Sequence, residues 1–88
     1  TAGQPQYHNI GCCSLTIELA TNGNILEEKD DTDIVMFLQG GLTKTIDGRA
    51  HMVTKPGDVG LVNVVKYVAR EMDGFADNTI IMTIRKHD

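Results

Sequence analysis

Along most of the chain, apolar and polar residues change places with the two-residue period of half-buried strands. Leu15, Ile17 and Leu19 alternate with Thr16 and Glu18, and Leu42, Lys44 and Ile46 alternate with Thr43 and Thr45. Ile34 to Leu38 is continuously apolar, which predicts a strand buried on both sides. Ile80 to Ile84 predicts a last strand, closed by the charged Arg85-Lys86-His87-Asp88. Turn formers punctuate these runs: Asn22-Gly23-Asn24, Gly40-Gly41, Asp47-Gly48 and Pro56-Gly57-Asp58. Asp47-Gly48 is the strongest of them, because both central positions of a type I′ hairpin turn need positive φ. Arg49 to Thr54 is then the returning strand.

Residues 59–72 obey two patterns at once. Leu61, Val65, Val68 and Met72 fall at helical spacing, with Asp58 placed to cap a helix and Asp73-Gly74 to end it. The valines and Gly60 are poor helix formers, and they favour two strands, 59–64 and 67–72, bent near Val65-Lys66. Seven or eight short strands with regular turns predict an all-β fold, a small antiparallel barrel or jelly roll. The alternative is α+β with a helix over 59–72. Before Ser14 the chain is polar and aperiodic, with Pro5 blocking regular structure. Residues 1–13 therefore form an N-terminal arm and 14–88 the folded domain.

Eighty-eight residues allow one domain with a thin core. A hydrophobic share of 41% argues against disorder. Eight Lys and Arg against twelve Asp and Glu leave a net charge of −4. With no basic stripe and only Phe37, Phe75, Tyr7 and Tyr67 as aromatics, direct nucleic-acid binding by this segment is not expected. No apolar run approaches the roughly 18 residues of a membrane helix, so a soluble protein without membrane contact is expected. Cys12-Cys13 reads as two reduced thiols, one in the core and one outside, because adjacent residues rarely meet disulfide geometry. That points to the cytoplasm.

From Asp33 onward the residues resemble a cupin. Six residues separate Asp33 from Gly40; a hairpin turns at Ile46-Asp47-Gly48; Pro56-Gly57-Asp58 then leads into Leu61-Val62-Asn63. The pattern looks most like the amino-terminal sensor and dimerisation domain of AraC-type transcription regulators, and "NTIIMTIRKHD" resembles the strand that closes their barrel. The likeness covers residues 26–88. It implies a ligand-binding barrel for a small effector, a sugar or another metabolite, and a homodimer. Paired helix-turn-helix units follow the barrel in that family; none lies within these 88 residues, so any role in transcription belongs to a longer protein. A continuous helix after Asp58, packed across an open sheet, would count against the likeness.

Metal-dependent cupins place two histidines and a glutamate in the first motif and a histidine in the second. With Asp33 at the glutamate position, the histidine positions fall at Leu26 and Glu28, or at Glu27 and Lys29. The second-motif histidine falls at Val68. No imidazole occupies any of them. His8, His51 and His87 share no spacing and read as surface groups. No metal or other cofactor is therefore expected. Ser14, the only serine, has no His and acid near it in sequence. Glu27-Glu28 and Asp30-Asp31-Asp33 read as a solvated charge run. Gly40-Gly41 reads as a bulge or turn, and Lys44 and Arg49 as guards of a soluble edge.

The resemblance thus implies a metal-free sensor rather than an enzyme. Its candidate ligand-binding residues are Met36, Leu38, Ile46 and Tyr67 as lining, with Lys44, His51 and Asn63 as orienting polar groups; Val53 and Leu61 share the interior. Two other readings stand beside it: a stand-alone cupin isomerase or lyase working through carboxylates, and a self-associating structural module with a filled core.

Overall fold

A computed structural model describes residues 5–20 and 25–87. Among these residues eight strands form two antiparallel sheets. In chain order they are β1 Gln6–Ile10, β2 Cys13–Leu19, β3 Ile34–Gln39, β4 Leu42–Ile46, β5 Arg49–Met52, β6 Val59–Leu61, β7 Gly74–Phe75 and β8 Ile80–Lys86. The larger sheet runs β1-β2-β8-β3-β6 and the smaller β5-β4-β7. A 3-10 turn covers Ile25–Glu28, and one helix, α1, spans Val62–Ala69. The expectation of an antiparallel β architecture is met. The two sheets do not close into a barrel: β6 and β1 end the larger sheet, and β5 and β7 the smaller.

The turn chemistry works as the sequence dictates. Asp47 and Gly48 both take positive φ, 53° and 76°, and join β4 to β5 in strict register from Thr43↔Met52 to Ile46↔Arg49. At Gly40 and Gly41 the chain passes from one sheet to the other. Gly40 has φ 70°, and a Cβ there would stand 2.9 Å from the Thr79 Cα, a space only glycine fits. The Asn22-Gly23-Asn24 turn lies outside the described residues, as do residues 1–4 and Asp88.

Three expectations are corrected. The segment 59–72 is not two strands. It gives a three-residue strand followed by α1, so the helical alternative holds over a shorter span. Propensity loses to burial here: Val62 is fully buried, and Val65, Val68, Ala69 and Met72 pack on the core with it. No side chain caps the first turn. Instead the Val62 and Asn63 amides donate to the carbonyls of Asp33 and Asp31, at 2.8 and 3.1 Å.

The second correction concerns residues 1–13. Gln6–Ile10 is a regular strand paired to β2 from Gln6↔Ile17 to Ile10↔Cys13, because Pro5 lies just before the ladder rather than in it. All five of its residues are exposed. In the turn that follows, Cys12 and Cys13 are joined as a vicinal disulfide, not held as two free thiols. The inference of a reducing compartment loses that support.

The third correction concerns which side of the large sheet is covered. β3 is not buried on both faces. Val35, Phe37 and Ile81 face the core with Ala20, Leu26, Leu42 and Val62, and there α1, the 3-10 turn and the small sheet gather, with the Phe37 and Phe75 rings 6.4 Å apart. The opposite face carries Leu15, Ile17 and Leu19 of β2, Ile80, Met82 and Ile84 of β8, Ile34 and Met36 of β3, and Val59 and Leu61 of β6. None of these ten residues is fully buried. The alternation seen in β2 is therefore inverted: Glu18 is buried, while Leu15, Ile17 and Leu19 are partly open.

Candidate functional site

On the covered side, toward the β1–β2 end, the sheet is polar instead of apolar. Ser14, Thr16 and Glu18 from β2 lie beside Arg85, Thr83 and Ile81 from β8, as the pairs Ser14↔Arg85, Thr16↔Thr83 and Glu18↔Ile81 require. Tyr7 of β1 faces the same way, opposite Thr16. Glu28, Lys29 and Asp33 come from the 3-10 turn and the loop before β3. Together with His87, all of these groups except Ile81 line a half-open cavity of about 330 Å³.

Two ion pairs frame it. Arg85 donates to Asp33 through Nε, at 3.0 Å to Oδ1, and through Nη2, at 2.8 Å to Oδ2, in a fork. Asp33 is 2% exposed. The Arg85 hydrogen bonds hold its carboxyl below the usual carboxylate range against the opposing effect of burial, helped by the Asp30 amide, which donates to Oδ2 at 3.1 Å. Arg85 is raised in turn, first by the same hydrogen bonds. Lys29 and Glu18, both largely buried, form the second pair. Between the pairs lies the Thr83 hydroxyl, buried and without a hydrogen-bond partner among the described residues. A buried hydroxyl left alone costs free energy, so it marks a place where a partner of suitable chemistry would be stabilised.

The Ser14 hydroxyl is in hydrogen-bond contact with Nε2 of His87, a pairing that their separation of 73 positions in the chain concealed. His87 has no carboxylate partner among the described hydrogen bonds, so the pair lacks the orienting acid of a nucleophilic triad. Nor does the charge run Glu27–Asp33 behave as a wholly solvated loop: Glu27, Glu28, Asp30 and Asp31 are exposed, but Asp33 and Lys29 turn inward.

A second cavity, about 230 Å³, lies between α1 and the two sheets, lined by Phe37, Leu42, Gly60, Val64 and other apolar groups. Its polar groups, Thr54 and Asp58, are already engaged: the Thr54 hydroxyl accepts from the Leu42 amide and Asp58 Oδ2 accepts from the Lys55 amide. The rest of its lining is apolar, so it offers few polar groups to orient a ligand.

None of the seven residues singled out from the sequence lines either cavity. Met36 and Leu38 belong to β3, Met36 on the open apolar face and Leu38 41% exposed. Lys44 and His51 are cross-strand neighbours on the exposed β4–β5 hairpin, and Ile46 stands at its tip. Asn63 and Tyr67 lie on the exposed side of α1. Of the metal positions transferred by resemblance, Glu28, Lys29 and Asp33 line the polar cavity, whereas Leu26 is in the core and Val68 borders the apolar cavity. Among the described residues no three of His, Cys, Asp and Glu gather as metal ligands, and no helix is long and apolar enough to cross a membrane. No family model, no curated protein and no solved structure matches the chain.

Proposed function

We propose that this protein is a metal-free sensing module that binds a small, neutral, hydroxyl-rich metabolite, a sugar or a close relative, in the polar cavity of the five-stranded sheet. The observation that carries it is the buried Thr83 hydroxyl without a partner, set between the Asp33–Arg85 and Glu18–Lys29 pairs. The framing charges already neutralise one another, so among the described residues the cavity has no unpaired lysine or arginine for an acidic ligand, and Glu28 adds a carboxylate that repels one. What remains on offer is directional hydrogen bonding from Thr16 and Thr83, with the Tyr7 ring as an apolar wall.

Tyr7 belongs to β1, which is held by one neighbour only and is exposed throughout. A ligand touching Tyr7 favours one placement of this strand over others, and occupancy becomes a population shift that a neighbouring domain can read. Kinship with the sensor domain of an AraC-type regulator, and with it a cytoplasmic role in transcription control, is part of the same proposal. It draws support from Asp33, the position that the resemblance gives to the first-motif glutamate, which lines the cavity. Against it stands α1, which occupies the stretch where the resemblance asks for strand, in a sheet left open. The binding proposal therefore rests on the cavity alone.

Thermal unfolding in EDTA-containing buffer, against a panel of monosaccharides and amino acids, tests it. A ligand at a hundredfold excess over its Kd stabilises by about 2.7 kcal/mol. Sugars that raise the unfolding temperature of the wild type but not of Thr83→Val support the site. No response to any sugar, or stabilisation appearing only when a divalent metal is added, overturns it.

A further inference from the structure

The apolar cavity between α1 and the two sheets borders an inward strand position that carries no side chain. In the ladder of β3 with β6, Gly60 stands opposite the fully buried Val35, so a side chain at 60 would enter the covered side, where this cavity lies. The backbone does not ask for glycine here. Gly60 does not take positive φ, unlike Gly40 or Gly57, and the nearest heavy atom to a Cβ built on it is the tip of the Val65 side chain, at 3.3 Å. Glycine weakens a strand and often marks a place where a ligand or another backbone comes close. The space, about 230 Å³, is floored by the buried Phe37 and Leu42, walled by the half-buried Val65 and Val68, and opens past Val64, which is 53% exposed. Among the described residues Asp58 is the only ionisable residue that lines it, and it is held in place. Its carbonyl accepts from the Phe37 amide at 3.1 Å, the Gly57 amide donates to the Phe37 carbonyl at 2.7 Å, and Asp58 Oδ2 accepts from the Lys55 amide at 3.0 Å. Among the described residues Oδ1 has no partner, and no lysine or arginine forms an ion pair with this carboxylate.

We infer that this cavity binds a small apolar amine, a protonated primary ammonium on a body the size of a single benzene ring. Size sets the body. An apolar cavity of about 150 Å³ is enough to take up benzene. The 230 Å³ here hold such a ring with a short arm, and fall below the roughly 300 Å³ at which pockets for drug-sized ligands begin. Charge sets the head group. A neutral body seated beside Asp58 takes water from the carboxylate and returns nothing, and an anion is repelled. An ammonium supplies both the donors and the opposite charge. The net charge of −4 on the chain acts in the same direction. Asp58 and Thr54 alone fall short of the six or so oxygen ligands that a hard metal cation takes, which leaves an organic cation as the occupant. The site shares no lining residue with the polar cavity, so this inference and the sensing proposal stand or fall separately.

Three ligands with one body and different heads test it: 2-phenylethylamine, 2-phenylethanol and phenylacetate. Each is titrated into the protein at neutral pH and followed by the methyl resonances of Leu42, Val64, Val65 and Val68. The amine should move these methyls together and bind the tightest of the three, and phenylacetate should bind the weakest. Asp58→Asn keeps an acceptor for the Lys55 amide and removes the charge. It should weaken the amine about fivefold, the factor that a part-exposed ion pair supplies, and leave the alcohol unchanged. Gly60→Val places a side chain in the space and should weaken amine and alcohol alike. Should that variant fail to fold, the order of head groups in the wild type and in Asp58→Asn decides the question. Methyls that stay still with the amine at millimolar concentration, equal affinities for amine and alcohol, or an amine that binds Asp58→Asn as tightly as the wild type overturn the inference. Shifts confined to the amides of 28–33 and 83–87 overturn it too, since they would place the amine in the polar cavity.

Discussion

Asp33 and Arg85 are 52 residues apart in the chain and meet in a forked ion pair, with the carboxylate buried and the guanidinium half open to solvent. Removing one partner strands the other. Arg85→Met leaves a buried carboxylate without its donor and should cost about 2 kcal/mol, below the 3–5 kcal/mol of a fully buried pair because water reaches the Arg85 side. Asp33→Asn should cost about as much, since a charged acceptor of three donations is lost. Urea unfolding of the two variants and the double variant measures this; costs that add fully in the double variant would show that the two residues do not interact.

The same pair sets an acid limit. The Asp33 carboxyl titrates below its ordinary value near 3.8 in the folded protein, so the folded state holds this proton more weakly than the unfolded state. Its stabilisation is complete above the unfolded value and is lost as pH falls through the folded one. Asp73 acts in the same sense, lowered first by the Thr45 side chain and then by the Thr45 amide. Stability should therefore be steady down to about pH 4 and fall below it. Asp33→Asn should flatten that fall, and Asp73→Asn should flatten part of what remains. An acid limb unchanged in Asp33→Asn would contradict this.

Thr83→Val replaces the unpartnered hydroxyl by a methyl group of the same shape. In the absence of ligand the variant should be more stable than the wild type by about 1 kcal/mol, since a buried polar group without a hydrogen bond is removed. A loss of stability in differential scanning calorimetry would mean that the hydroxyl is already satisfied.

Glycine positions separate by what surrounds them. Gly40→Ala combines positive φ with a Cβ 2.9 Å from the Thr79 backbone, and should destabilise by about 3 kcal/mol. Gly48→Ala has φ 76° but nothing within 4 Å, and should cost about 1 kcal/mol. Equal denaturation midpoints for the two would contradict the close approach at Gly40.

Reduction of the Cys12–Cys13 bond should free two thiols to labelling and barely move the unfolding temperature. Neighbouring residues enclose no chain loop, so the link removes little entropy from the unfolded state. Two titratable thiols before any reductant is added would contradict the disulfide.

Strands β2, β4 and β8 and the β4–β5 hairpin were legible because their signals are local. Asp47-Gly48, the alternation in 42–46 and the apolar run 80–84 need no distant partner to be read. The helix was not, because valines that disfavour helix are held in one by burial of Val62 and Val65 against β3. The sidedness of β2 was not either: period two says that Leu15, Ile17 and Leu19 share a face, but not that the covered face is the one with Glu18. The candidate site was missed for the same reason. Asp33 with Arg85, Ser14 with His87 and Glu18 with Lys29 are contacts across the fold, and the only sequence hint was that buried partners had to exist for charges set within alternating strands. The residues chosen instead, Lys44, His51 and Tyr67 among them, assumed a closed barrel whose interior an open sheet does not possess.

The sharpest test of the central claim is amide chemical-shift mapping by NMR, with the sugar panel titrated into the wild type in EDTA. The account predicts that at least one sugar moves the amides of 14–18, 28–33 and 83–87 together and leaves the β4–β5 hairpin still. Shifts confined to Lys44 and His51, or none with any sugar, would contradict it.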